Sequence, residues 1–140
     1  MVQAEGRTFA FEGPEKVTSE VLETFPYEYP EREIEVEVAT DEWSCVCPFS
    51  GLPDFGTRRV RYVPDRDCLE LKSLKYYLTS FRNVGIYQEH AANRLLEDLV
   101  AACRPRRMSV ELDYRLRGGL HTVVMVRWPK ESSPSSGSRN

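Results

Sequence analysis

The chain has 140 residues, 41% of them hydrophobic and 29% charged, with a formal net charge of −3. That length fits one domain with a full core rather than two. The acidic balance argues against a protein that grips a nucleic-acid backbone, which takes clustered Lys and Arg. No apolar run approaches the ~18 residues that cross a bilayer, and Met1 to Ala10 lacks the continuous apolar stretch of a secretory signal. A soluble, cytoplasmic protein acting on small molecules is expected.

Glu33 to Val38 reads Glu-Ile-Glu-Val-Glu-Val, a strand pattern with Ile34, Val36 and Val38 inward and three glutamates outward. Cys45 to Phe55 follows as Cys-Val-Cys-Pro-Phe-Ser-Gly-Leu-Pro-Asp-Phe, rich in turn formers. Alternation returns at Arg59 to Val63. Glu70 to Tyr77 reads Glu-Leu-Lys-Ser-Leu-Lys-Tyr-Tyr, and a short helix is expected over Ser73 to Ser80. Phe81 to Glu89 holds Asn83 and Gly85 in the turn before a second helix. There Ala92, Leu95, Leu96, Leu99, Val100 and Cys103 form one apolar stripe, with Arg94, Glu97 and Asp98 on the opposite face.

Pro105 stops that helix near Arg104. Arg104, Arg106 and Arg107, the one dense basic cluster, are read as a solvated helix end favoured by the helix dipole. Val110 to Leu116 alternates again, with Val110, Leu112, Tyr114 and Leu116 inward and Glu111, Asp113 and Arg115 outward. His121 to Trp128 is the last strand, entered through a Gly118-Gly119 hairpin. Glu131 to Asn140 is Ser-rich without an apolar residue and is expected to be disordered. The expectation is one α+β domain over residues 1–130 and a tail over 131–140. Its four antiparallel strands would carry both helices as one layer on one sheet face.

The Cys45, Glu70 and Phe81 segments place a thiol, carboxylates and lysines close to loops, the usual setting of an active site. Cys45, Cys47, Cys68 and Cys103 are read as free thiols, since a full core needs no disulfide framework. Cys103 lies on the apolar helix stripe. Taken alone, Asp54 would be a turn cap, Lys72 and Lys75 a solvated face, and Glu89 an acid favoured by a helix N-terminus. Gly118-Gly119 lacks the strand-turn-helix setting of a Rossmann fingerprint, and Cys45-x-Cys47 is a poor zinc spacing, so no metal is expected.

The three segments closely resemble the NADPH-dependent nitrile reductases that convert 7-cyano-7-deazaguanine to 7-aminomethyl-7-deazaguanine, on the route to queuosine in tRNA. The resemblance covers roughly Leu22 to Trp128 and is sharpest in the Glu-Leu-Lys-Ser-Leu-Lys-Tyr-Tyr box. It implies the tunnelling fold, in which small subunits join their sheets into barrels and rings. Active sites then lie between subunits of a homo-oligomer. It implies Cys47 as the nucleophile that forms a thioimide and Asp54 as proton donor; Pro53 and Phe55 flank Asp54, and partial desolvation there is expected to suit it to acid work.

By the same resemblance Leu69, Glu70, Leu71, Gln88 and Glu89 bind the deazapurine substrate, and Leu71, Lys72, Lys75, Arg117 and Gly118 bind NADPH. Gln88 stands where many family members have histidine; His90 is a possible acid-base substitute. No direct contact with nucleic acid or membrane is implied. Three other readings stay open: an amidine-forming enzyme acting on the nitrile already in tRNA, a zinc cyclohydrolase using Cys45, Cys47 and a histidine, and a non-catalytic binding module.

Overall fold

The computed structural model describes residues 10–116 and 118–130; Arg117 and the expected tail lie outside them. The chain passes through β1 (Thr24–Pro26), β2 (Val36–Val46), β3 (Pro53–Val63), β4 (Asp67–Leu69), α1 (Leu71–Thr79), α2 (Gln88–Cys103), β5 (Arg107–Tyr114) and β6 (Val123–Trp128). β2, β3, β5 and β6 form one antiparallel sheet in that spatial order. The expected order of strands and helices is therefore present. β1 and β4 pair as a separate two-stranded sheet, which periodicity does not reveal, because runs of three residues carry none.

Alternation decides which side of the sheet meets the helices. Asp54, Gly56, Arg58, Val60 and Tyr62 of β3 are buried, as are Met108, Val110, Leu112 and Tyr114 of β5. The opposite face holds Arg61 against Glu37 at 2.9 Å and Arg59 against Glu111 at 3.4 Å, partly exposed pairs that each contribute ~0–1 kcal/mol. In β2 the pairing slips between Thr40 and Trp43, a bulge that sets two β2 residues opposite one of β3.

α2 buries Ala91, Ala92, Leu95, Leu96, Leu99 and Cys103, packed on β5 and β6. Arg94 and Asp98, on the face opposite the stripe, are only partly exposed. Asp98 Oδ2 accepts from both Tyr77 Oη and Arg94 Nε, each at 2.7 Å, which satisfies the buried Tyr77 hydroxyl. The helix ends at Arg104 in the left-handed region, φ 47°, just before Pro105. Arg106 and Arg107 are not a helix end. Arg107 opens β5 and meets Glu33 at 2.6 Å, while Arg106 donates to the Pro30 carbonyl.

Leu116, expected inward, is 71% exposed, because β5 stops at Tyr114 and the chain has already turned. Gly118 and Gly119 take φ of 59° and 80° in that turn, a conformation glycine adopts without steric cost.

α1 starts where Leu69 N donates to Tyr62 Oη at 2.9 Å. It ends where Phe81 packs on Trp43, ring centroids 5.0 Å apart, and meets Tyr77 edge-on at 5.4 Å. It thus runs alongside β2, from the Tyr62 end of the sheet toward the Val46 end.

Candidate active site

The β2–β3 hairpin carries both Cys47 and Asp54. Cys45 and Asp54 are direct partners across the ladder, and the hairpin closes through Cys47 N to Leu52 O and Gly51 N to Cys47 O, both 2.8 Å. Gly51 takes a φ of 76° there. Cys47 is half-buried and Asp54 is 6% exposed, so the carboxyl is withdrawn from solvent while the thiol remains within reach. Gly56, two residues past Asp54, lets β5 approach: a Cβ on it would lie 2.5 Å from the Asp113 carbonyl oxygen.

Cys45 is a different thiol. It is fully buried, its Sγ lies 3.9 Å from Tyr114 Oη, and that hydroxyl also accepts from Trp43 Nε1 at 3.1 Å. Burial pushes its pKa up to about 12, and the charges of Asp54 and Cys47 add to the rise. Cys103 is pushed up to about 12 by burial as well. Both stay protonated and unreactive near neutral pH. None of the four cysteines forms a disulfide.

The start of α2 is tied to this hairpin. Val46 N donates to Val84 O at 2.9 Å and Ile86 N to Val46 O at 3.1 Å, which sets Gln88, Glu89 and His90 just beyond the Cys47 turn. Gln88 is half-buried; Glu89 and His90 are exposed. His90 stands edge-on to Tyr87 at 6.0 Å and shares a cleft with Pro48 and Tyr87.

The Glu70 to Lys75 segment lies elsewhere. Glu70 caps α1, its carboxylate accepting from Ser73 N at 2.7 Å and Lys72 N at 2.9 Å. Those two amides hold its pKa below the usual carboxylate range. Leu69 is buried, Leu71 is 59% exposed, and Lys72 and Lys75 are exposed. Helix α1 spans nine residues, about 13 Å, and separates Lys72 from the Cys47 end of the sheet. Within one chain, then, Cys47, Asp54 and the start of α2 come together, and the start of α1 does not join them.

Gly118 is exposed in the β5–β6 turn, and Arg117 lies outside the described residues. That turn sits at the Cys47 end of the sheet, since Gly56 pairs with Tyr114 and Arg115 N donates to Phe55 O at 2.9 Å. Among the described residues no cluster of three or more His, Cys, Asp or Glu could hold a metal ion. None of their helices is long and apolar enough to cross a membrane.

Arg58 went unassigned in the sequence. Arg58 had a signal: it stands in the inward register with Val60 and Tyr62, where a cation is out of place.

A reachable thiol and a buried carboxyl on one hairpin of an α+β layer form an arrangement that nucleophilic cysteine chemistry can use. A model of the family described as "QueF-like protein" matches residues 53–133. The NADPH-dependent 7-cyano-7-deazaguanine reductase of Caldicellulosiruptor bescii is 53% identical over 124 residues, covering 89% of this chain and 95% of the relative. The reductase of Chlorobaculum tepidum is 50% identical over 114 residues, 81% of this chain and 97% of the relative. A crystal structure of an archaeosine synthase, QueF-Like, in its apo form superposes with a TM-score of 0.62 at 24% identity, over 71% of this chain and 96% of that one. That likeness shows the fold alone. The chain belongs to the family of NADPH-dependent 7-cyano-7-deazaguanine reductases among the QueF-like proteins.

Proposed function

We propose that this protein reduces the nitrile of 7-cyano-7-deazaguanine to an aminomethyl group with NADPH, through a thioimide on Cys47, in queuosine biosynthesis. The observation that carries the chemistry is the one hairpin that bears both half-buried Cys47 and buried Asp54. A nitrile carbon is a modest electrophile, and addition of the Cys47 thiolate makes it more reactive. As the carbon–sulfur bond forms, Asp54 delivers a proton to the nitrile nitrogen. NADPH, when bound, supplies a hydride in each of two rounds, which brings the nitrile to the amine and frees the thiolate between rounds. Glu89 is the carboxylate that accepts from the ring N–H and exocyclic amine of the base. Gln88 and the Leu69-Glu70-Leu71 segment complete the substrate site, with His90 beside it as a possible acid-base group.

Leu71, Lys72, Lys75, Arg117 and Gly118 form the cofactor site in this reading. Exposed lysines on α1 fit a phosphate-bearing cofactor. Helix α1, about 13 Å long, lies between Lys72 and the Cys47 end of the sheet, which supports a site completed between subunits of a tunnelling-fold homo-oligomer. Phe49, Leu52, Phe55, Leu116 and Leu120, exposed around the Cys47 end, support the same reading, since clustered apolar exposure marks contact surfaces.

The test is NADPH oxidation with 7-cyano-7-deazaguanine. Wild type should consume two NADPH per nitrile, and Cys47→Ala none. Absence of oxidation by an assembled wild type removes the reductase reading.

A further inference from the structure

Arg58 is a cation in a core register and is 1% exposed. Its Nη1 reaches the Val38 carbonyl only at 3.5 Å. Its Nε is the one buried side-chain nitrogen or oxygen without a hydrogen-bond partner among the described residues. Burying a guanidinium short of acceptors is costly, and burial lowers its pKa to about 10. Arg58 borders a cleft of about 360 Å³ between β2 and α1. Lys75 and Arg82 border the same cleft, with Glu42 as its one carboxylate and Leu74 and Leu78 along the helix side.

Three cations against one carboxylate, one of them buried and short of an acceptor, make an anion receptor rather than a solvated face. A guanidinium offers a planar fork of donors that matches phosphate oxygens. The volume exceeds that of a bare phosphate and leaves room for a sugar against the leucines.

We propose that this cleft is a phosphomonoester site, with Arg58, Lys75 and Arg82 as its receptors, that takes the ribose phosphate distinguishing NADPH from NADH. The occupant rests on the reductase reading above; the anion binding does not.

The experiment is calorimetric titration of the assembled protein, without nitrile, using adenosine 2′,5′-bisphosphate, AMP and inorganic phosphate. Wild type should bind the bisphosphate on the order of tenfold tighter than AMP or phosphate. Arg58→Met and Arg82→Gln should each erase most of that preference, and the kcat/KM ratio of NADPH to NADH should fall with it. Arg82 is exposed, so Arg82→Gln decides the outcome if Arg58→Met does not fold. Equal binding of bisphosphate and AMP by wild type overturns the proposal, as does a preference that survives Arg82→Gln. Inorganic phosphate matching the bisphosphate overturns the cofactor as occupant. A preference lost in the variants, in a wild type that reduces no nitrile, upholds the phosphate site and removes the reductase reading instead.

Discussion

Cys45 and Asp54 face each other across the β2–β3 ladder, so the thiol that sits opposite the carboxyl is not the one proposed to react. Cys45 occupies the core beside Tyr114, and its neighbour two residues on is the thiol within reach. We expect iodoacetamide to label Cys47 in the native protein and to spare Cys45, Cys68 and Cys103, all buried. Peptide mapping reads the outcome; labelling of Cys45 first would contradict the assignment.

Asp54→Asn keeps the shape of the side chain and removes its proton. We expect kcat to fall by roughly 10²–10⁴, the usual contribution of a positioned acid, while iodoacetamide still labels Cys47. Loss of labelling together with activity would mean that Asp54 supports the hairpin instead.

Gly56→Ala tests the strand approach behind the site. The added methyl would meet the Asp113 carbonyl, and overpacking of this kind costs roughly 1–3 kcal/mol. Urea unfolding should show the loss. An unchanged midpoint would mean that β3 and β5 can separate freely.

Glu70 gives a pH dependence with a definite sign. Its pKa is lowered in the folded protein from an ordinary 4.5 by the amides of Ser73 and Lys72. Its contribution to stability is therefore present above pH 4.5 and is lost as pH falls through the lower folded value. Glu70→Gln should melt below wild type at neutral pH, and the gap should narrow in acid. A gap that is constant with pH would point to a role without charge.

A site completed between subunits makes inactive variants rescue one another. Cys47→Ala and the double variant Lys72→Ala, Lys75→Ala, unfolded together and refolded as a mixture, should regain part of the NADPH oxidation that neither shows alone. No recovery in mixed oligomers would place the whole site within one chain.

Long periodic segments were legible from sequence because burial enforces their period: the stripe from Ala92 to Cys103 and the inward set Val110, Leu112 and Tyr114 are both buried. Leu116 misled because alternation continues one step past the last ladder pair. The bond from Tyr77 to Asp98 was not legible, because Tyr77 comes from another helix and no spacing announces a contact between elements. The thiol and carboxyl on one hairpin were recognisable from motif. That Cys45 and not Cys47 stands opposite Asp54 was not, since it depends on the register of β2 against β3. Arg58 could have been flagged by its register, but the cleft beside it needs α1 in place.

The slip between Thr40 and Trp43 acts as a change of phase. Before it, Val36 and Val38 partner Tyr62 and Val60; after it, Trp43 and Cys45 partner Gly56 and Asp54. Even-numbered residues of β2 face the helices first, odd-numbered ones afterwards. The alternation that begins at Ile34 therefore belongs to a different frame from the one that delivers Cys47. Deleting either Asp41 or Glu42 would remove the bulge and leave Val38 and Trp43 in one unbroken frame, both still facing the helices. The bulge thus absorbs one surplus residue, so that the sequence changes frame while the strand keeps one face to the helices.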